Sequence, residues 1–288
     1  MSTEAAQAYE KARKRAKRET TNENTPLVLD DLLDSGNSYA QEKVGQQEIP
    51  LDQIVGMKNE GRVSAFGKDF LPLLRPDSEF ANKWMRLYDA QITEGLRDPI
   101  KVYEYMHRYY VEEGNKRVSV MKFLGGTTIL ADIWRILPQK DGSEQSKLYY
   151  EYLDFAHTHN IDFIHLSQLG SYETLEQCLG LPKEYRLSAE QEKELHAEYR
   201  LFSQAFEKIR TPDMKLDTGD AFLLYLEIYD VQNFLQKSKS DLVDELKQIE
   251  DDLVAFPRRL ETRLESASLD QELKRRIFGR LQPLKVAF

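Results

Sequence analysis

Gly114, Asn115, Lys116 and Arg117 sit between an apolar, aromatic run and a short amphipathic segment, in "RYYVEEGNKRVSV". Residue types in this order can do phosphate chemistry. At a strand-to-helix junction the first backbone N–H groups lack helical partners and face the helix start, where an anion receives hydrogen bonds and dipole stabilisation. Gly114 lets the backbone approach closely, and Asn115 supplies an amide that donates or caps. Lys116 adds a mobile point charge, and Arg117 a planar fork able to grip phosphate bidentately. Glu112 and Glu113 oppose an anion if they face it. At least one therefore points away, binds a metal-phosphate or acts as a base, and Glu113 is the candidate for that catalytic carboxylate. The same residues also suit an ordinary turn with exposed cations.

Elements on both sides must hold this turn. "DPIKVYEY" and "YYVEE", joined by "MHR", form the two arms of a hairpin. "KRVSVMKFLGG" reads as a helix with Val120, Met121 and Leu124 on one face, ended by Gly125 and Gly126. "TTILADIWRILP" follows as a strand. Upstream, "IPLDQIVG" reads as a strand turning at Gly56, and "GRVSAFGKDFLPLL" as a loop into a short helical or extended piece. "SEFANKWMRLYDAQITEG" is a helix capped by Ser78, with Phe80, Trp84, Leu87, Tyr88 and Ile92 at helical spacing. The order strand, helix, hairpin, helix, strand favours a small mixed α/β domain.

"IPLDQI", then "GRVSAF", then "GLRDPIKVYEYMHRYYVEEGNKRVSVMKFLGGTTILADI" together resemble the N-terminal domain of the ParB/sulfiredoxin superfamily, over about residues 45 to 138. The resemblance implies that a G-x-x-R turn, here Gly114, Asn115, Lys116 and Arg117, contacts nucleotide phosphates, with Arg62 as a second contact. The ligand it implies is a nucleoside triphosphate, CTP as in ParB proteins or ATP as in sulfiredoxins, with Mg²⁺ as an accompanying ion. Two departures narrow it. Asn115 stands where sulfiredoxins carry a reactive cysteine, so sulfinic-acid repair is not expected. The helix-turn-helix and further phosphate motif of ParB partition proteins are not found either.

Beyond "QKDGSEQSK" the text is mainly helical, with "IDFIHLS" as the main strand candidate. "YYEYLDFAHTHNIDFIHLSQLGSYETL" and "TGDAFLLYLEIY" resemble the middle region of bacterial proteins that join a ParB-like segment to a domain of the basic membrane protein (BMP) substrate-binding family. The closing "QPLKVAF" resembles the first strand of such a domain. The expected fold class is α+β, with four divisions: a basic helix and linker at 1–44, a ParB/sulfiredoxin-like domain at 45–140, a mostly helical accessory domain at 141–282, and the start of a BMP-like domain at 283–288.

Composition bounds the function classes. Hydrophobic residues at 41% and charged residues at 31% describe a globular chain, and a net charge of −9 opposes broad attraction to nucleic acid or anionic lipid. The cations from Lys11 to Arg18 are a local exception, able to meet DNA or an acidic protein. Cys178 is alone, so neither an internal disulfide nor a cysteine-rich zinc site forms within one chain. No run suits a membrane span or a secretory signal, and the expected location is the cytoplasm. "HTH", His157 to His159, lacks the further ligands of a metal site, and "DTGD", Asp217 to Asp220, reads as a helix start. Tyr149, Tyr150, Tyr152 and Phe155 read as packing, and Leu242, Leu246, Ile249 and Leu253 as a helix face packed within the chain or in a homodimer.

The leading expectation is a cytoplasmic nucleotide-binding regulatory or switch protein, with NTP hydrolysis or phosphoryl transfer as its chemistry if it turns over. The alternatives are a noncatalytic DNA- or protein-interaction module, and the N-terminal part of a nucleoside-sensing BMP-family protein.

Overall fold

Alternation along Ile100–Tyr105, where Ile100, Val102 and Glu104 are buried and their neighbours half-buried, makes this segment a strand with one face on a core. In a computed structural model it sits inside a six-stranded mixed sheet; the structure describes residues 2–19, 25–33, 36–95, 97–235 and 237–256. The chain divides into two compact units, Met1–Gln139 and Lys140–Phe288. The resemblance placed on 283–288 lies outside the described residues.

In the first unit the elements run α1 (Thr3–Glu19), β1 (Leu27–Val28), α2 (Leu29–Leu32), β2 (Gln41–Pro50), β3 (Ile54–Met57), α3 (Glu79–Thr93), β4 (Ile100–Tyr105), β5 (Arg108–Glu113), α4 (Asn115–Phe123) and β6 (Thr128–Ile136). The sheet order is β1-β3-β5-β4-β6-β2. β4 and β5 form the antiparallel hairpin, while β3 joins β5 and β6 joins β4 in parallel. Met106 and His107 both take positive φ, 52° and 62°, in the hairpin turn, a conformation that matches strand twist but costs side-chain-bearing residues. Glu104 helps to hold it by accepting the His107 N–H at 2.7 Å.

One core lies between the sheet and the segments around it, built from Ile49, Ile54, Phe66, Phe70, Val111 and Val118 among others. A second joins α1, α3 and α4. Ala5, Ala8, Tyr9, Ala12 and Ala16 form the buried face of α1, and Tyr9 meets the Trp84 ring edge-on at 5.4 Å. The Trp84 indole donates to Ser119 Oγ at 2.8 Å, tying α3 to α4. The basic helix, set apart from the ParB-like domain in the sequence reading, thus packs within the first unit.

Several local readings are corrected. Gly56 lies inside β3, opposite Leu27 and Tyr110, where a side chain would strike the Leu27 carbonyl. Ile92 is exposed. In α4 the buried apolar residues are Val118 and Val120, while Met121 is half-buried and Leu124, at the C-cap, is exposed.

The second unit is helical: α5 (Glu144–His159), α6 (Ser171–Leu179), α7 (Ala189–Ile209), α8 (Thr218–Tyr229), α9 (Val231–Phe234) and α10 (Lys239–Gln248), with 250–256 also helical. Phe202, Phe206, Phe222 and Phe234 are fully buried in it. Tyr149, Tyr152 and Phe155 are buried, as are Leu242, Leu246, Ile249 and Leu253 on a face of the C-terminal helices. The strand expected at 161–167 does not form. Its backbone is held by side chains instead: Tyr172 Oη receives the Leu166 N–H at 3.1 Å, and Asp220 Oδ1 the Ser167 N–H at 3.0 Å. No helix among the described residues is long and apolar enough to cross a membrane.

Candidate functional site

α4 begins where β5 ends, and Gly114 makes the junction. Its φ of 102° is left-handed, and a Cβ there would collide with the Ile100 side chain, so two independent constraints select glycine. The close approach made possible is therefore to Ile100. Gly114 is itself the N-cap, without a side-chain cap, and Asn115 is the first helical residue; the capping role considered for Asn115 is not taken up. The first bond within the helix is Val118 N–H to Gly114 O at 3.0 Å, so the earlier N–H groups of the turn have no helical acceptor.

This turn opens on a cleft of about 740 Å³, within the size range of small-molecule sites. Gly114, Asn115, Lys116, Arg117, Glu113 and Arg62 all line it, as do Lys83 and Arg86 of α3. Arg62 comes from a 3-10 turn, Glu60–Ala65, capped by Asn59, whose side chain accepts the Gly61 N–H at 3.3 Å. Buried Ala65 and Phe66 anchor the end of that turn while Arg62 stays exposed. Met57, Leu87 and Val111 give the cleft its apolar wall.

Lys116 lies with its ammonium 4.7 Å from the centroid of the Phe80 ring and makes no ion pair among the described residues. Loss of solvent, then the like charges of Arg62 and Lys83, push its pKa below the ordinary lysine value, with Glu79 pulling the other way. Glu79 is bound to Lys83 at 2.6 Å. Glu112 also lines the cleft and is bound to Lys101, again at 2.6 Å, while Glu113 stays exposed at the rim. Arg117 departs from the reading of a free fork. Its Nη1 donates to the carbonyl oxygens of Asp98 and Pro99, at 2.6 and 2.9 Å. Asn115 Oδ1 is buried with no hydrogen-bond partner, an acceptor left over on the cleft wall.

The sequence reading missed Lys83 and Arg86. Their signal was an i, i+3 pair of cations on the side of α3 away from Trp84, Met85 and Tyr88, which in a single sequence looks like any solvated face. Elsewhere, the His159 ring bridges Tyr185 O at 2.7 Å and Glu176 Oε1 at 3.0 Å, and no metal-holding group of His, Cys, Asp and Glu occurs among the described residues. Burial pushes the Cys178 thiol up to about 12, so it is a poor thiolate.

No protein-family model matches the chain, and no curated protein matches it. The comparisons give no support to the BMP resemblance. Among solved structures, sulfiredoxin from Arabidopsis thaliana is similar: 31% identity over 31% of this chain and 82% of that one, with a TM-score of 0.22. So low a TM-score lends no weight to the site, which stands on its own geometry; the likeness is to sulfiredoxin over about a third of a chain whose sheet and helices are α+β.

Proposed function

We propose that the first unit binds a nucleoside triphosphate, CTP or ATP, through its phosphates in the cleft at the start of α4, as a regulatory or switch protein. One observation carries this reading. Five cations from three separate segments, Arg62, Lys83, Arg86, Lys116 and Arg117, line one cleft beside helix N–H groups that lack helical acceptors. Glu112 and Glu113 also line that cleft and Lys83 is paired with Glu79, but cations remain in excess, which is unfavourable without a further anion, and a polyphosphate supplies several. The buried, unpartnered Asn115 oxygen favours a ligand that also brings a hydrogen-bond donor. The sequence order resembling the ParB/sulfiredoxin superfamily points the same way.

In this reading the N–H groups of the turn and Lys116 meet one phosphate, and Arg62, Lys83 and Arg86 neutralise the rest. Lys83 exchanges Glu79 for the ligand. Arg117 keeps the turn in place from below. If turnover occurs, Glu113 is the carboxylate placed to orient a nucleophile or a Mg²⁺ ion, since positioning and charge neutralisation supply most of what phosphoryl transfer requires. Calorimetric titration with CTP and ATP, with and without Mg²⁺, tests the reading: binding should fall about tenfold to a hundredfold in Lys116→Gln, the loss expected for one charge-assisted contact. No binding by the parent chain refutes it.

A second reading is supported by α1. Its alanine face is fixed on α3 while Lys11, Lys14, Lys17 and Arg18 remain exposed, a rigid cationic strip suited to a DNA backbone. Binding that weakens steeply with salt and is lost in a Lys11, Lys14, Lys17, Arg18 to Gln variant would favour it; salt-independent or absent binding would not.

A further inference from the structure

We infer that Lys116 is a modification site: its amine takes an acyl group from acyl phosphates, small anions whose phosphate is both the handle held by the cleft and the leaving group. Its surroundings are unusual for a lysine. Its ammonium is half-buried against Phe80 and stands in the first turn of α4, at the positive end of the helix dipole. It shares the cleft with the cations Arg62, Lys83, Arg86 and Arg117 and with the carboxylates Glu112 and Glu113; Glu112 is bound to Lys101, and Glu79, whose charge also acts on Lys116, is bound to Lys83. Dehydration, then the like charges of Arg62 and Lys83, outweigh the pull of Glu79 and lower the pKa of Lys116. More of this amine is therefore neutral near neutral pH than at an exposed lysine, and only the neutral amine attacks carbon.

The same cations that depress the amine collect anions. A phosphate on the turn N–H groups and Arg62 would bring a directly attached carbonyl carbon toward Nζ. In the step, the Nζ lone pair forms the N–C bond, the C–O bond to phosphate breaks, and the electron pair leaves with inorganic phosphate. The amine loses one proton to water, and nothing is oxidised or reduced. The amide product carries no charge, so the cleft loses one of its cations and its grip on anions weakens. The acylation rests on the cleft's holding phosphate, as the proposed function does, but not on that phosphate belonging to a nucleotide.

The test uses the full chain with acetyl phosphate, mapping acetyl-lysines by mass spectrometry over time, with exposed Lys14 and Lys193 as internal references. Lys116 should be modified at least about fivefold faster than either reference, since a lowered pKa enriches the neutral amine and the cleft concentrates the donor. Inorganic pyrophosphate should slow Lys116 alone, and Arg62→Gln, a change at an exposed residue, should reduce its lead. With acetic anhydride, which carries no phosphate, the lead should shrink. Equal rates at Lys116, Lys14 and Lys193, or a lead that neither pyrophosphate nor Arg62→Gln alters, would overturn the inference. Slow acylation in a chain that binds nucleotide defeats only this inference, and fast acylation in a chain that binds none defeats only the nucleotide reading.

Discussion

Arg117 reaches back from α4 to Asp98, its Nη1 donating to the Asp98 carbonyl oxygen at 2.6 Å and to that of Pro99 at 2.9 Å. The guanidinium thus ties the first turn of α4 to the segment that leads into β4. A residue typed as a phosphate clamp is also a brace for the turn that holds the phosphate. Arg117→Ala should therefore lower stability by about 1–3 kcal/mol, through two lost charge-assisted bonds, as well as weaken nucleotide binding. Arg62→Gln should weaken binding with an unchanged denaturation midpoint. Identical melting curves for the Arg117 variant and the parent would remove the brace.

Gly114→Ala forces a side chain into left-handed backbone and against Ile100. The expected cost is about 2–3 kcal/mol, read as a lower urea midpoint, because strain and overpacking add. A Gly114→Ala chain with the parent's midpoint would mean that the turn can move away from Ile100.

The buried guanidinium of Arg135 bonds Glu104 at 2.6 Å and Glu42 at 3.0 Å, across β6, β4 and β2. Replacing it by Met leaves Glu104, which is 3% exposed, without its cation. Arg135→Met should cost about 3–5 kcal/mol, as expected when one partner of a buried pair is removed. A loss below about 1 kcal/mol would show that the carboxylates find water or another donor.

Asp220 predicts a pH dependence in the second unit. Burial raises its pKa above the ordinary 3.8, against the lowering effect of the bond from Ser167. The native state therefore holds the proton more tightly than the unfolded chain. Its contribution to stability is full below the ordinary value and is lost as pH rises through the raised native value. Asp220→Asn keeps an acceptor for Ser167 and never ionises, so it should melt at a higher temperature than the parent at about pH 7, with the gap closing toward about pH 3.5. A gap that stays constant over that range would contradict the assignment.

Much of this architecture was legible because local signals agreed. Ser78 caps α3 by accepting the Ala81 N–H, and the aromatic spacing after it marks the buried face. The hairpin and the glycine junction follow from alternation broken at Gly114. What sequence did not reveal is non-local. β1 has two residues and exists only because Leu27 and Val28 find β3. Residues 161–167 carry strand-like residues, but the Leu166 N–H goes to the nearby Tyr172 hydroxyl and the Ser167 N–H to Asp220, far along the chain, in place of a ladder. The site was half legible: the turn and Arg62 could be named from their order in the chain. Lys83 and Arg86 could not, because only the packing of Trp84 and Tyr88 directs that side of α3 toward the turn.

The most direct test of the central claim is calorimetric titration of the full chain with ATP and CTP, with and without Mg²⁺, set beside Lys116→Gln and Arg62→Gln. Saturable binding by the parent, reduced about tenfold or more in each variant while both keep the parent's melting temperature, is the predicted result. Absence of heat with every nucleotide, or affinity that neither substitution changes, would contradict a phosphate site at the start of α4.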